Sequence, residues 1–284
     1  MQNAIVVDSG CDVSKETIGE LVSNEVCSLN HVPLNMQLED KVYLDDENLD
    51  LDQYLANMES CPIAAKTSAP SPSQFLERFG LAENVFVVTL SSKLSATYQS
   101  AVTAKNMYLE ECSKKFVHVF DSLTASIGEG VIAMKIAELV KKGTAAGELV
   151  EQVNQFISGM HTYFILDKFD NLVKTGRINP YVAKIASFLN VKPICGESEG
   201  EIKMVDKARG FPKAVRRLVA IIKENTPDIE NRIIGITHVK AHDKALALKE
   251  ELIKAALGAR DIVIQECRGI TTTYANRGGI VVAV

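Results

Sequence analysis

The chain has 284 residues, enough for one large domain or two medium ones around a substantial buried core. Hydrophobic residues make up 46% and charged residues 24%, a globular balance, and the net charge of −5 comes without a basic run, which argues against nucleic acid as a partner. No apolar stretch approaches the roughly 20 residues that cross a bilayer, so no integral membrane segment is expected.

Met1 to Asp8 lacks a basic n-region and a long apolar h-region, so it predicts no signal peptide. Ala4 to Val7 reads as a strand closed by Asp8-Ser9-Gly10, and Asp12 or Ser14 caps a helix with Ile18, Leu21 and Val22 on its apolar stripe. Val26 to Val32 is a second strand, and the acidic stretch Glu39 to Asp52 reads as a loop. Ser73 to Phe79 is helical, with Ser71 or Ser73 as its cap. Val85 to Leu90 is a buried strand by its β-branched and aromatic content, and Ser95 to Cys112 follows as a helix. Phe116 to Phe120 is another strand, closed by Asp121-Ser122, and Gly130 to Lys142 is the next helix. Strands separated by helices predict a parallel, doubly wound sheet with ligands beyond its carboxyl edge. The hydroxyl and Asp-Ser clusters all fall at that edge.

The second half reads as mixed α+β. Gly147 to Ser158 is helical, Tyr163 to Leu166 is a strand, and Pro180 to Leu189 is a helix. Val191 to Cys195 and Ile202 to Ala208 flank a hairpin connection, followed by a helix from Phe211 to Asn225. Strand Arg232 to His238, helix Asp243 to Leu257, strand Asp261 to Glu266 and strand Gly279 to Val284 complete the chain. The fold class is therefore α/β in two domains, with the boundary in the Gly147 to Gly159 region.

Six cysteines (Cys11, Cys27, Cys61, Cys112, Cys195, Cys267) show no C-x-x-C pair and predict free thiols in a cytoplasmic protein. Gly196 to Gly200 satisfies G-x-S-x-G, but a polar turn between two strands is not the strand-turn-helix of a hydrolase elbow. Gly128 to Ala133 matches G-x-G-x-x-A, yet it starts too far beyond a strand to cradle a dinucleotide, and close helix packing explains it. His238 and His242 straddle a strand end as exposed loop histidines without a third metal ligand. No P-loop is present.

Two hydroxyl-rich segments stand apart, Lys66 to Pro72 and Val87 to Ser95. Short hydroxyl side chains where a strand ends and a helix begins serve equally as helix caps and as neutral donors to a small anion. Thr67-Ser68-Ala69-Pro70-Ser71 with Phe75 resembles the T-S-Q-P-S-x-x-x-F segment of the DegV family of bacterial fatty-acid-binding proteins. Ser91-Ser92-Lys93-Leu94-Ser95-Ala96-Thr97-Tyr98-Gln99-Ser100-Ala101 is similar to that family's S-S-x-L-S-G-T-Y-Q-S-A. The likeness continues in order through Phe120-Asp121-Ser122, Gly176-Arg177-Ile178, Lys192-Pro193-Ile194 and Gly200-Glu201-Ile202.

The resemblance implies an N-terminal domain, residues 1–157, carrying a head-group site, and a C-terminal domain, residues 158–284, lining an acyl-chain tunnel. One long-chain fatty acid would lie between them as ligand, with no other cofactor and no metal. The carboxylate would be presented to a fatty-acid kinase for acyl-phosphate formation, so the protein would be a carrier without catalytic residues of its own. Thr67, Ser68, Ser91, Ser92 and Ser95 are the implied head-group residues, with Arg177 orienting the head group or meeting the kinase. This chain departs from the family at Ala69, where a glutamine is usual, and at Ala96, where a glycine is usual. The family's G-T-H-x-G-P-G segment corresponds to the Thr271 to Gly279 region, which places Thr272 at the histidine position and Tyr274 beside the head group. Alternative readings are a lipid-sensing regulatory protein and a serine hydrolase using Ser92 or Ser95.

Overall fold

A computed structural model of the protein describes residues 2–80, 82–111, 115–255 and 258–284. The chain begins with β1 (Asn3–Asp8), α1 (Lys15–Leu21), β2 (Cys27–Val32), β3 (Asn35–Leu38), β4 (Lys41–Leu44) and α2 (Leu51–Ser60). It continues through β5 (Lys66–Ser68), α3 (Pro72–Phe79), β6 (Asn84–Thr89), α4 (Thr97–Glu111), β7 (Phe116–Asp121), α5 (Ile127–Lys141) and α6 (Ala146–Ser158). Next come β8 (Thr162–Ile165), α7 (Asp170–Lys174), α8 (Pro180–Ala186), β9 (Val191–Ser198), β10 (Glu201–Arg209) and α9 (Phe211–Asn225). The last elements are β11 (Ile233–His238), α10 (His242–Lys254), β12 (Asp261–Glu266), α11 (Gly269–Ala275) and β13 (Ile280–Ala283).

The first sheet is all parallel, in the order β2-β1-β6-β7. Its apolar runs bury both faces: Ile5, Val7, Phe86 and Val88 enter one core, and Ala4, Val6, Val85 and Val87 another. Helices on both sides account for that unbroken hydrophobicity. A small antiparallel sheet, β4-β3-β5, lies beside it. The third sheet is mixed, ordered β10-β9-β8-β13-β11-β12, and only β11 and β12 run parallel. Every strand of the first two sheets ends by Asp121, and every strand of the third begins at or after Thr162.

Helix α5 joins the two halves by packing on β1 and β6 as well as on β11 and β13. Twelve of its residues are buried, leaving only the narrow stripe of Lys135, Glu138 and Lys141 outside the core. Gly128 makes this approach feasible, because a Cβ there would sit 2.4 Å from Thr124 Oγ1 and 2.8 Å from Thr162 Oγ1. The G-x-G-x-x-A match is thus a helix-packing device.

Several boundaries differ from the sequence reading. The Glu39 to Asp52 region is not simply a loop: it contains β4 and the start of α2, which Asp50 caps by accepting from Gln53 N at 2.9 Å. Helix α8 stops at Ala186, short of Leu189, as Asn190 turns left-handed at φ 57°. His238 is buried at the end of β11, against the expectation of an exposed loop residue, and its Nε2 lies 3.3 Å from His242 Nδ1. Gly196 to Gly200 is the strand-turn-strand expected of it, with Ser198 opposite Glu201. Cys112 and Leu257, the predicted ends of two helices, lie outside the described residues.

The first sheet buries an unusual group of acids behind its carboxyl edge. Desolvation pushes Asp8 and Asp12 up to about 7 each, against opposing hydrogen bonds from Leu90 and Gly10 for Asp8 and from Ser126 and Arg268 for Asp12. Glu129 in α5 has both carboxyl oxygens buried without a partner among the described residues, and burial, with Asp8 and Asp12 nearby, raises it well above an ordinary glutamate. Groups whose folded pKa is raised hold protons that the unfolded chain releases above about pH 4. Stability is therefore expected to fall as pH rises from about 4 through about 7. Melting temperatures from pH 5 to 8 check this, with Glu129→Gln showing a shallower decline than the parent; an equal slope would count against it.

Candidate functional site

A cavity of about 250 Å³ lies between the carboxyl edge of the parallel sheet and one face of the mixed sheet. From the first half it is walled by Leu34, Leu90, Leu94 and Ala125, and from the second by Phe164, Leu166, Leu172, Ile202 and Val281. The mixed-sheet wall follows from strand alternation: Thr162, Phe164 and Leu166 point to one side of β8 and its continuation. At ~3.3 Å per residue they span roughly 13 Å. The wall combines these apolar side chains with a smaller set of polar ones.

One end is formed by Thr67, Ser95, Arg177 and Tyr274. Thr67 Oγ1 and the Tyr274 hydroxyl share a hydrogen bond of 2.7 Å. Ser95 precedes the first turn of α4, where its Oγ accepts from Thr97 N at 3.3 Å and lies 2.7 Å from Thr97 Oγ1. Ala96, whose carbonyl accepts from Ser100 N, is the cap residue of α4, so Ser95 stands one residue before the cap, and it lies on the cavity wall. The half-buried Arg177 donates from Nε to Leu94 O at 3.3 Å and from an Nη to Thr175 O at 2.6 Å. Among the described residues no carboxylate lies within salt-bridge distance of it, so its charge is free to meet an anion. Ala96 is exposed on this rim, which opens the end to solvent.

Helix α11 supplies the roof and is held from a distance in sequence. Asp45 is buried at its start and accepts from Gly269 N and Ile270 N, each at 2.9 Å, while Asp12 accepts from Arg268 N at 2.6 Å. Burial raises Asp45, and the Arg268 charge together with these amides pulls the other way. The pinned helix turns Ile270, Thr271, Tyr274 and Ala275 onto the wall, the i, i+1, i+4 and i+5 positions of one face.

Thr272 is corrected by this geometry. It was expected at the head-group end, but one residue is about a 100° rotation on a helix, which carries it off the face shared by Thr271 and Tyr274. Its side chain is fully buried, its Oγ1 has no hydrogen-bond partner, and it does not line the cavity. Tyr274 lines the cavity instead, with its hydroxyl against Thr67.

The remaining expected residues stand behind or outside the wall. Ser68 is exposed and accepts from Asn35 Nδ2 at 3.3 Å. Ser92 is exposed, and its amide donates to Asp121 Oδ1 at 3.0 Å. Ser91 is buried and donates to Gly200 O at 2.8 Å, tying the first half to the β9–β10 turn. Gly200 is required there: its φ is +82°, and a Cβ would come within 2.5 Å of Ser91 Oγ. The structure thus brings together Thr67, Ser95 and Arg177. Sequence reasoning missed Thr124, Ser126, Thr162, Thr271 and Glu197, which also line the cavity; the alternation of Thr162, Phe164 and Leu166 was the signal available for one of them.

Among the described residues no group of three or more His, Cys, Asp or Glu is placed to hold a metal ion, and no helix is long and apolar enough to cross a membrane. The fold and site define an α/β binding protein with an enclosed, mostly apolar cavity between two sheets and hydroxyls with one arginine at its open end. A family model described as "Uncharacterised protein, DegV family" matches residues 2–284, and the chain belongs to the DegV family. A DegV domain-containing protein of Streptococcus pneumoniae is 32% identical over 278 residues, covering 97% of this chain and 96% of the relative. A solved DegV family structure from Ruminococcus gnavus, refined with vaccenic acid, has a TM-score of 0.91 at 36% identity, covering 99% of both chains. The Streptococcus pneumoniae fatty acid kinase (Fak) B3 protein, loaded with linoleic acid, has a TM-score of 0.90 at 30% identity, covering 100% of this chain and 99% of that one.

Removing the Asp45 anchor tests the construction of the roof. Hydrogen bonds to charged groups contribute about 1.5–3 kcal/mol each, so Asp45→Ala is expected to lower unfolding stability by about 3 kcal/mol, read by urea denaturation. A loss under about 1 kcal/mol would show that α11 is held by its apolar contacts alone.

Proposed function

We propose that the protein binds one long-chain fatty acid in this cavity and presents the carboxylate to a fatty-acid kinase, acting as a carrier without catalysing the phosphorylation itself. The observation that carries the reading is the composition of the wall: it is mostly apolar, and it carries the hydroxyls of Thr67, Ser95 and Tyr274 with Arg177 as its cation. Burying a hydrocarbon tail contributes about 0.8 kcal/mol per CH₂, so roughly 16 carbons supply on the order of 10 kcal/mol before ordering costs. The head group then needs few contacts. Hydroxyl donors leave a carboxylate more reactive toward phosphorylation than a buried bidentate arginine pair would. Arg177 is already committed to two backbone carbonyls and sits at the rim, where it steers the anion without clamping it.

In this reading Thr67, Ser95, Arg177 and Tyr274 contact the head group, while Ser91 and Ser92 hold the loop that carries Ser95. The domain division falls at residues 157 and 158, in keeping with the change of sheet between Asp121 and Thr162. A cytoplasmic site fits the five described cysteines, all free thiols.

Organic extraction of the purified protein followed by mass spectrometry is expected to release one fatty acid per chain, and the stripped protein is expected to take up palmitate or oleate. No recovered lipid and no uptake would sink the proposal. Arg177→Met is expected to weaken uptake about tenfold, equivalent to about 1.4 kcal/mol, in protein whose circular dichroism shows it folded. Incubation with ATP and the host's fatty-acid kinase is expected to form acyl phosphate on the bound ligand, an outcome a lipid sensor would not give.

A further inference from the structure

The cavity wall carries a second polar group, at the Thr162 end of β8 about 13 Å from Leu166, which an acyl tail does not require. There Thr124 Oγ1 donates to Thr162 Oγ1 at 2.7 Å, and the Glu197 side chain stands beside them on the wall. Behind this group lies a second cavity of about 340 Å³, bounded by Leu123, Ile157, Met160 and His161 among others. Thr124 and Glu197 belong to the walls of both cavities, so they form the partition between them.

The two halves of the partition are held differently. Thr124 is fixed at both ends, through Thr162 and through its carbonyl, which accepts from Ser91 N at 2.9 Å. Glu197 has a side chain 20% exposed, and His161 Nδ1 lies 3.7 Å from it, beyond good hydrogen-bond length. Strand register explains its position: Glu197 lies opposite Ile202, and Gly196 lies opposite Tyr163, so Glu197 is brought beside Thr162 at the end of β8 remote from Leu166.

We propose that Glu197 sets the chain length of the bound fatty acid, as a specificity-determining residue at the tail end; this rests on the fatty-acid reading above. A tail that ends short of Glu197 leaves the carboxylate wet from the second cavity. A longer tail must strip that water and offers no hydrogen bond in return, which penalises it. Displacing or neutralising Glu197 joins the two cavities and removes the penalty.

The test is a binding series of saturated fatty acids from about 12 to about 22 carbons against the stripped wild type, Glu197→Gln and Glu197→Ala. In wild type, affinity is expected to rise with each added CH₂ and then to drop at a definite length. Glu197→Ala is expected to move the drop at least two carbons longer and to raise affinity for the longest chains about tenfold, with the shortest chains within about twofold of wild type. Glu197→Gln keeps the size and removes the charge, so it is expected to fall between them. Identical length profiles in the three proteins, with melting temperatures showing all are folded, would overturn the proposal. Failure of the wild type to bind any chain would instead overturn the fatty-acid reading itself.

Discussion

The site depends on one buried carboxylate. Asp45 comes from the loop after β4, yet its two oxygens hold the first amides of α11, more than two hundred residues later. Those amides have no partner within their own helix, and burying them unpaired would be costly. By satisfying them from the other half of the chain, Asp45 fixes where α11 begins and therefore which of its side chains face the cavity. Gly269 shows how tight the fit is, since a Cβ there would lie 2.7 Å from Asp45 Oδ1 and 2.6 Å from the Met36 terminal methyl. Tyr274, Thr271 and Ala275 take their places on the wall as a consequence.

Charge distribution around the cavity follows a consistent logic. The acids Asp8, Asp12, Asp45 and Glu129 lie behind the parallel sheet's carboxyl edge, facing backbone amides or one another and off the cavity wall. Asp8 caps its own turn and ties β1 to β6 through Leu90 N at 2.7 Å. Asp12 joins Ser126, itself 2.8 Å from Thr237 Oγ1, to the start of α11. An anion entering at the open end therefore meets hydroxyls and Arg177 first, while the negative groups are shielded behind apolar side chains. Glu197 is the exception, and there the wall borders the second cavity.

The two halves of the molecule are joined by more than the cavity. A single cluster of buried residues runs from Ile5 to Ala283, with α5 in its middle, and the β9–β10 turn reaches back to Ser91. Shared packing of this kind limits how far the halves separate. The Ser91–Gly200 contact also connects the loop carrying Ser95 to the hairpin carrying Glu197, and Ser91 N bonds the Thr124 carbonyl at 2.9 Å.

Much of this was legible in residue order. Hydrophobic period and β-branched content located β1, β6, β7, α4 and α9, because the three strands are mostly apolar runs and the two helices are long enough to show a period. The closing Asp-Ser pairs located the carboxyl edge, and the motif order located the family. The short elements β3, β5, α7 and α11 were not legible, since three to seven residues carry too little periodicity and their stability comes from partners elsewhere in the chain. The seven site residues expected from motifs were divided by geometry alone: Thr67, Ser95 and Arg177 reach the wall, Ser68 and Ser92 face solvent, Ser91 became a latch, and Thr272 is turned away. Sequence determined which chemical groups the protein carries and roughly where along its strands they fall. Only the tertiary structure decided which of them meet, because a 100° step on α11 and a one-residue alternation on β8 are fixed by contacts with residues far away in the chain.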